Sequence, residues 1–140
     1  MRYVDTSVLI AYLTPEAGSD TAEAFIQSKG EPLVVSSWTE VELMSALGVK
    51  LRSRQLGEAD ANEVIDAYSR LVAPHLRRIS VEDGHHRKAV MLLDGWKTTL
   101  RAADALHLAI AAAHGAHVFT FDRGMAEAGA ALGISVQLLQ

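Results

Sequence analysis

The chain contains no cysteine among its 140 residues. Disulfide bonds, thiolate nucleophiles and zinc sites built on thiolates are therefore excluded. Proline is scarce, with three residues, and no Pro/Gly/Ser-rich linker, low-complexity tract or internal repeat interrupts the chain. We therefore predict a single domain over residues 1–140, long enough to bury about two-thirds of its unfolded surface.

Long apolar runs are also missing. No stretch approaches the roughly 20 apolar residues of a membrane-spanning helix, and the first residues, MRYVD, lack the apolar core and cleavage site of a signal peptide. We expect a cytoplasmic protein with no membrane partner.

Basic residues are not in excess, because 13 Lys and Arg stand against 17 Asp and Glu, for a formal net charge of −4. This balance argues against a protein held to nucleic acid by a broad basic surface, since such binding depends on Lys and Arg contacts to phosphates. It does not exclude an enzyme that acts on nucleic acid, because an acidic pocket filled by metal presents positive charge locally.

Short apolar runs alternate with longer helical patterns along the whole chain. The predicted strands are Arg2–Val4, Leu33–Ser36, Arg78–Val81, His117–Phe121 and Val136–Leu139. The predicted helices are Ser7–Leu13, Asp20–Gln27, Trp38–Arg54, Glu58–Val72, Gly84–Leu93, Arg101–His114 and Arg123–Leu132. Strands alternating with helices predict a three-layer α/β domain, in which helices cover both faces of a parallel sheet.

Four acidic residues stand out in this pattern. Asp5 and Asp122 follow predicted strands, and Glu42 and Asp104 lie inside otherwise apolar helical stretches. Ligands of open parallel sheets bind beyond the carboxyl ends of the strands, where the winding reverses. Carboxylates crowded into one crevice repel one another, and a divalent cation with oxygen ligands compensates that repulsion.

Three of the four acids also have a structural alternative. Asp5 and Asp122 are suited to cap the helices that follow them. Asp104 has two alternatives, an ion pair with Arg101 three residues earlier or stabilisation by the helix dipole in the first turn. No single residue decides between a structural role and a role in a site. Four acids in such positions within one small domain nevertheless favour a shared site.

Glu40 and Glu42 point about 200° apart on one helix, so only one of them is expected to face the site. Glu40 is suited to form a capping box with Ser37. Glu42 has no such role, and we therefore choose it as the site residue. His107, within a turn of Asp104, could support the site residues without touching the ligand, but we prefer to interpret it as a core histidine with satisfied hydrogen bonds.

A site made of carboxylates and hydroxyls selects hard cations, Mg²⁺ or Mn²⁺. Such ions clamp phosphodiester oxygens and lower the pKa of a water nucleophile, so phosphodiester hydrolysis is the reaction class that fits. The hydroxyls of Thr6, Ser7 and Thr120 lie beside the acids and are candidates for supporting residues. No nucleotide-binding glycine loop, serine-hydrolase elbow or His-x-x-x-His zinc motif is present.

Four segments, in order and spacing, resemble the PIN-domain ribonucleases, and in particular the VapC toxins of bacterial toxin–antitoxin pairs. They are VDTSVLI from Val4, VSSWTEVEL from Val35, LRAADALHLA from Leu100 and FTFDR from Phe119. The resemblance covers essentially the whole chain. It implies a PIN-like sheet of about five strands in the order 3-2-1-4-5, which would place the strands before Asp5 and Asp122 side by side.

The resemblance also implies a function. Asp5, Glu42, Asp104 and Asp122 would hold Mg²⁺ or Mn²⁺ for cleavage of RNA, be it tRNA, rRNA or mRNA. A homodimer and a small VapB-like antitoxin that plugs the site, in a higher assembly with the toxin, are further expectations. The region Glu58–Leu76 would supply the antitoxin groove.

Three other functions compete with this one. A haloacid-dehalogenase-type phosphatase needs a second Asp two residues after the first, where this chain has Ser7. A PIN nuclease of RNA processing would work without an antitoxin. A non-catalytic PIN module would bind RNA or a partner protein without turnover.

Overall fold

The computed structural model describes residues 1–140. The strands are β1 (Arg2–Val4), β2 (Leu33–Ser36), β3 (Arg77–Ile79), β4 (His117–Thr120) and β5 (Val136–Leu138). The helices are α1 (Thr6–Leu13), α2 (Ser19–Gln27), α3 (Ser37–Arg52), α4 (Glu58–Ala67), α5 (Asp83–Leu93), α6 (Ala102–Ala113) and α7 (Arg123–Ala131). Shorter helical turns follow α4 at Tyr68–Val72 and Ala73–His75, and follow α5 at Asp94–Trp96.

All five strands form one parallel sheet in the order β3-β2-β1-β4-β5. The central strand β1 pairs with β2 on one side, with Arg2 opposite Leu33, and with β4 on the other, with Arg2 opposite His117. The predicted fold and strand order are confirmed. The winding reverses between β1 and β4, so the carboxyl ends of these two neighbouring strands border one crevice.

Apolar side chains fill both faces of the sheet. Tyr3 and Val4, successive residues of β1, are both fully buried and belong to two different core clusters. Successive side chains of a strand point to opposite faces. Each face is therefore covered by helices, which is the three-layer arrangement that the alternating pattern predicts.

Several predicted boundaries are wrong by one or more residues, and the ends of the fourth helix and the third strand have a physical reason. The helix predicted to reach Val72 ends as an α-helix at Ala67. A π-helical turn at Tyr68–Val72 and a 3₁₀ turn at Ala73–His75 follow it. Pro74 lies in the last of these turns, where its ring and missing N–H end the helical run. The third strand ends at Ile79, and the N–H of Val81 is bonded to a side chain instead of to the sheet. No helix of the fold has the length and apolar character needed to cross a membrane.

Candidate functional site

Asp5 follows β1 and is the N-cap of α1. Its side chain is buried, with 3% of the residue exposed. One carboxylate oxygen accepts hydrogen bonds from Ser7 Oγ (2.6 Å) and from the Val8 N–H (3.3 Å), and the other accepts from Thr120 Oγ1 (2.8 Å). Burial raises the pKa of Asp5 above its ordinary value, although these bonds and the nearby charge of His107 oppose the rise. The capping role foreseen as an alternative is thus observed, at the edge of the crevice.

Glu42 lies on α3, and its side chain is partly buried. One oxygen accepts hydrogen bonds from Thr6 Oγ1 (3.1 Å) and from His107 Nε2 (2.6 Å). Burial acts to raise the pKa of Glu42, but the hydrogen bond and charge of His107, with the Thr6 bond, outweigh it, so the pKa is lowered. Glu42 is therefore tied to both the start of α1 and the interior of α6.

Asp104 lies in the first turn of α6 and is half-buried. Burial is the largest cause that raises its pKa, to about 6, and the carboxylates of Asp122, Glu42 and Asp5 raise it further in that order. The charge of His107 acts in the opposite direction, and no hydrogen bond contributes. Asp104 therefore lies within electrostatic reach of the other three acids. Of the two alternatives predicted for Asp104, the ion pair with its neighbour at i−3 is not formed, and the position in the first turn of the helix is observed.

Asp122 follows β4 and is the exposed N-cap of α7. Its Oδ1 accepts a hydrogen bond from the Met125 N–H (2.9 Å), and its own N–H donates to Thr120 Oγ1 (2.8 Å). The alternative of a helix cap is observed here as well. Capping uses one carboxylate oxygen and leaves the other without a protein partner.

The three hydroxyls that sequence considerations place beside the acids all touch them. Thr6 donates to Glu42, and Ser7 and Thr120 donate to Asp5. The Thr120 bond links the carboxyl end of β4 to that of β1, and the Thr6 bond links the start of α1 to α3. The hydroxyls therefore contact the acids directly.

Glu40 lies outside this cluster. The capping box of α3 is formed by Ser36 and Thr39, so the predicted box of Ser37 and Glu40 is wrong. The helix already begins at Ser37, which shifts every capping position back by one residue. Glu40 instead forms an ion pair with Arg78, at 2.9 Å from Nε.

His107 is a residue to which the sequence gave only a secondary role in the site. It is 1% exposed and both ring nitrogens are bonded, as expected of a core histidine. One partner, however, is Glu42, and the other is the hydroxyl of Tyr3 at 2.8 Å. Burial raises the pKa of that tyrosine to about 12. The available signal was the spacing of three residues after Asp104, which places both side chains on one helix face.

The donor set of the cleft consists of carboxylate and hydroxyl oxygens, which suit a hard divalent cation. No group of three or more His, Asp or Glu side chains is arranged to hold a metal ion as the side chains stand. Asp5, Glu42 and Asp122 each have at least one carboxylate oxygen that accepts a hydrogen bond from the protein. Asp104 does not, and the repulsion by three other carboxylates outweighs the opposing charge of His107. The residues present thus fit Mg²⁺ or Mn²⁺ by donor chemistry and by charge.

The raised pKa of Asp104 has a consequence for stability in metal-free protein. Between an ordinary value of 3.8 and the folded value of about 6, the folded state binds the proton more tightly than the unfolded state. The stabilisation by that proton is complete below 3.8 and is lost as the pH rises through about 6. We expect Asp104→Asn, which does not titrate, to exceed the parent in free energy of unfolding by about 1–2 kcal/mol at neutral pH, after allowance for solvent screening.

Urea unfolding of both proteins in chelator, at several values from about pH 4 to about pH 7.5, measures this difference. The gap between variant and parent should widen as the pH rises. A gap that stays constant across the range contradicts the prediction.

Comparison with known proteins gives one family and several solved structures. The family model of the PIN domain matches residues 2–131. No curated protein is a significant match to the chain in sequence. FitAcB from Neisseria gonorrhoeae is similar with a TM-score of 0.77 and 20% identity, over 97% of this chain and 96% of that one.

Two further structures are similar over nearly their whole length. The toxin VapC20 of Mycobacterium tuberculosis, described as cleaving the sarcin–ricin loop, has a TM-score of 0.74 and 23% identity, over 92% of this chain and 95% of that one. VapBC2 from Rickettsia felis, bound to a DNA fragment from its promoter, has a TM-score of 0.72 and 14% identity, over all of both chains. At sequence identities this low, the similarity to these structures is evidence of a shared fold alone.

Proposed function

This chain belongs to the PIN-domain family, and we propose on that premise that it is an endoribonuclease of the VapC toxin type, dependent on Mg²⁺ or Mn²⁺. The observation that carries the proposal is Asp104, a half-buried carboxylate whose pKa is raised by burial and by three neighbouring acids. A charge in that position is stable only when something in the cleft compensates it.

Asp5, Glu42, Asp104 and Asp122 are the residues that would hold the metal. When bound, the ion supplies positive charge for the phosphoryl oxygens and favours ionisation of a water nucleophile. Asp104 and Asp122 offer oxygens that no protein donor occupies. Asp5 and Glu42 are held by hydroxyls and by His107, which keeps the negative charge of the cleft in a fixed place.

Two unpaired cations support a phosphodiester substrate. Arg101 is the N-cap of α6, three residues before Asp104, and Arg123 is the first residue of α7, next to Asp122. Both side chains are exposed and neither forms an ion pair with a carboxylate. Basic groups placed beside an acidic cleft attract the phosphates of a nucleic acid while the protein as a whole remains acidic.

The proposed setting is the cytoplasm, where the substrate is tRNA, rRNA or mRNA and the partner is a small VapB-like antitoxin. Several structural neighbours are complexes of a toxin with its antitoxin, which supports this partner. Exposed apolar side chains on α3 and after α4, Met44 and Leu71 among them, support a protein contact on the predicted groove or in a homodimer.

Cleavage of RNA by the purified protein tests the proposal. In Mn²⁺ or Mg²⁺ we expect internal cuts in total cellular RNA, and no cuts in DNA oligonucleotides of the sequence found at the cut sites. Expression in bacteria should arrest growth, and co-expression of a small protein encoded beside this one should restore it.

The alternatives give different results in the same experiments. RNA cleavage without growth arrest would identify a nuclease of RNA processing. RNA binding without any cleavage would identify a non-catalytic module. The absence of both cleavage and RNA binding would overturn the assignment to RNA.

A further inference from the structure

A buried hydrogen-bond chain ends on one of the four acids. It runs from Ser36 at the end of β2, through Tyr3 on β1 and His107 on α6, to Glu42 on α3. The other three members of this hydrogen-bond chain, Ser36, Tyr3 and His107, are almost completely buried, at 0%, 0% and 1% exposed. The distances are 2.8 Å from Ser36 Oγ to the Tyr3 hydroxyl, 2.8 Å from there to His107 Nδ1, and 2.6 Å from Nε2 to Glu42.

The direction of these bonds follows from the carboxylate at the end. An ionised carboxylate accepts hydrogen bonds and donates none, so His107 Nε2 carries the hydrogen toward Glu42. In the neutral ring Nδ1 is then an acceptor, the Tyr3 hydroxyl donates to it, and the same hydroxyl oxygen is free to accept from Ser36. In the charged ring Nδ1 carries a hydrogen as well, and the Tyr3 hydroxyl oxygen accepts it. In both forms Nε2 donates to the acid.

Glu42 needs this support because its charge is repelled. Asp104 lies within electrostatic reach of Glu42, and Asp5 and Asp122 lie within reach of Asp104. Without His107 the remaining donor to Glu42 is the Thr6 hydroxyl, at 3.1 Å. A glutamate on a helix has several rotamers, and repulsion by its neighbours favours those that carry the carboxylate into solvent.

We propose that His107 is a positioning residue, which through its Nε2–H holds the Glu42 carboxylate in the cleft, while Tyr3 holds the ring. The inference rests on the proposed metal-dependent function and assigns no contact of His107 with substrate or metal. A histidine that only fills the core needs no bond to a site carboxylate, and any apolar side chain of similar volume would replace it.

Affinity for Mn²⁺ alone, measured by calorimetry without RNA, tests the proposal in the full chain. His107→Leu removes the donor and keeps an apolar side chain of similar size. Donors that orient metal-binding side chains contribute about 10–100-fold in metal affinity, and we expect a loss in that range. His107→Gln retains an N–H close to the position of Nε2 and should restore most of the affinity.

A second variant leaves the ring in place in case His107→Leu does not fold. Tyr3→Phe removes only the hydroxyl that anchors Nδ1, and we expect a smaller loss of Mn²⁺ affinity. Tyr68→Phe is the matched control, because its hydroxyl donates to Glu40, at 3.3 Å and outside the site. That control should bind Mn²⁺ as the parent does.

Nitrogen-15 NMR of the metal-free parent gives a readout independent of metal and activity. The His107 ring should carry a hydrogen on Nε2, whether or not Nδ1 carries one too. A ring with the hydrogen on Nδ1 alone would overturn the proposal, because Nε2 could not then donate to Glu42.

The affinities decide the remaining outcomes. Parent-like Mn²⁺ binding by His107→Leu overturns the proposal whatever its melting temperature, and equal losses in the Leu and Gln variants point to packing and overturn it too. When His107→Leu does not fold, parent-like binding by Tyr3→Phe overturns it. If the affinities follow the expected order but the parent cuts no RNA, the positioning role stands and the endoribonuclease assignment fails.

Discussion

Asp104→Asn is expected to lower the rate of RNA cleavage by about 10³-fold or more while the fold stays intact. Asparagine keeps the shape of the side chain but removes the charge that would hold the cation. Asp104 accepts no hydrogen bond that its replacement would break, so the loss of activity should not come with a loss of structure. Initial cleavage rates at saturating Mn²⁺, with circular dichroism of both proteins, measure the effect.

Glu40→Gln is the matched control, since it makes the same chemical change in an acid outside the cleft. We expect parent-like cleavage and a loss of stability of up to about 1 kcal/mol, because the exposed ion pair with Arg78 is broken. Asp5→Asn should also abolish cleavage, but Asp5 caps α1, and so Asp104 is the sharper test. Cleavage by Asp104→Asn at the parental rate would remove the basis of the proposed site.

Removal of divalent metal is expected to have the second large effect. Chelation should abolish RNA cleavage, and readdition of Mg²⁺ or Mn²⁺ should restore it. A cation that relieves repulsion among the four acids binds the folded state alone, so it also raises the melting temperature. At Mn²⁺ about 100-fold above the dissociation constant, the gain of about 2.7 kcal/mol corresponds to about 9 °C for a chain of this size.

The Asp104→Asn protein provides the comparison for this thermal shift. It should melt higher than the parent without metal, because one repelling charge is gone, and should gain much less from added Mn²⁺. Full cleavage by chelator-treated parent protein would show that the reaction does not need the cation.

Local features of the fold were predictable from the chain because they depend on local periodicity. The alternation of strands and helices placed Asp5 and Asp122 directly after strands, where the structure has them. Errors occurred where neighbouring residues offered equivalent solutions. Ser36 and Ser37 are both suitable caps for α3, and only the entry of the chain from β2 decides that Ser36 is used.

The contacts of the candidate site were less predictable from the sequence than the fold was. The sequence pattern predicted that the carboxylates of Glu42 and Asp104 need compensation, but it offered no protein partner for Glu42 and only the alternative of Arg101 for Asp104. The ion pair with Arg101 is not formed, and no hydrogen bond contributes to the pKa of Asp104. Glu42 is bonded to His107, 65 residues away, and nothing in the spacing of either segment foretells that contact.

The sequence by itself determined the chemistry: oxygen ligands without thiolates, four acids in apolar or strand-end positions, and a three-layer α/β domain. Only the tertiary structure decided which side chains meet, because pairings between distant segments follow from strand order and helix packing, which no local pattern specifies. That packing tied Glu42 to a buried histidine and left the charge of Asp104 without a protein partner.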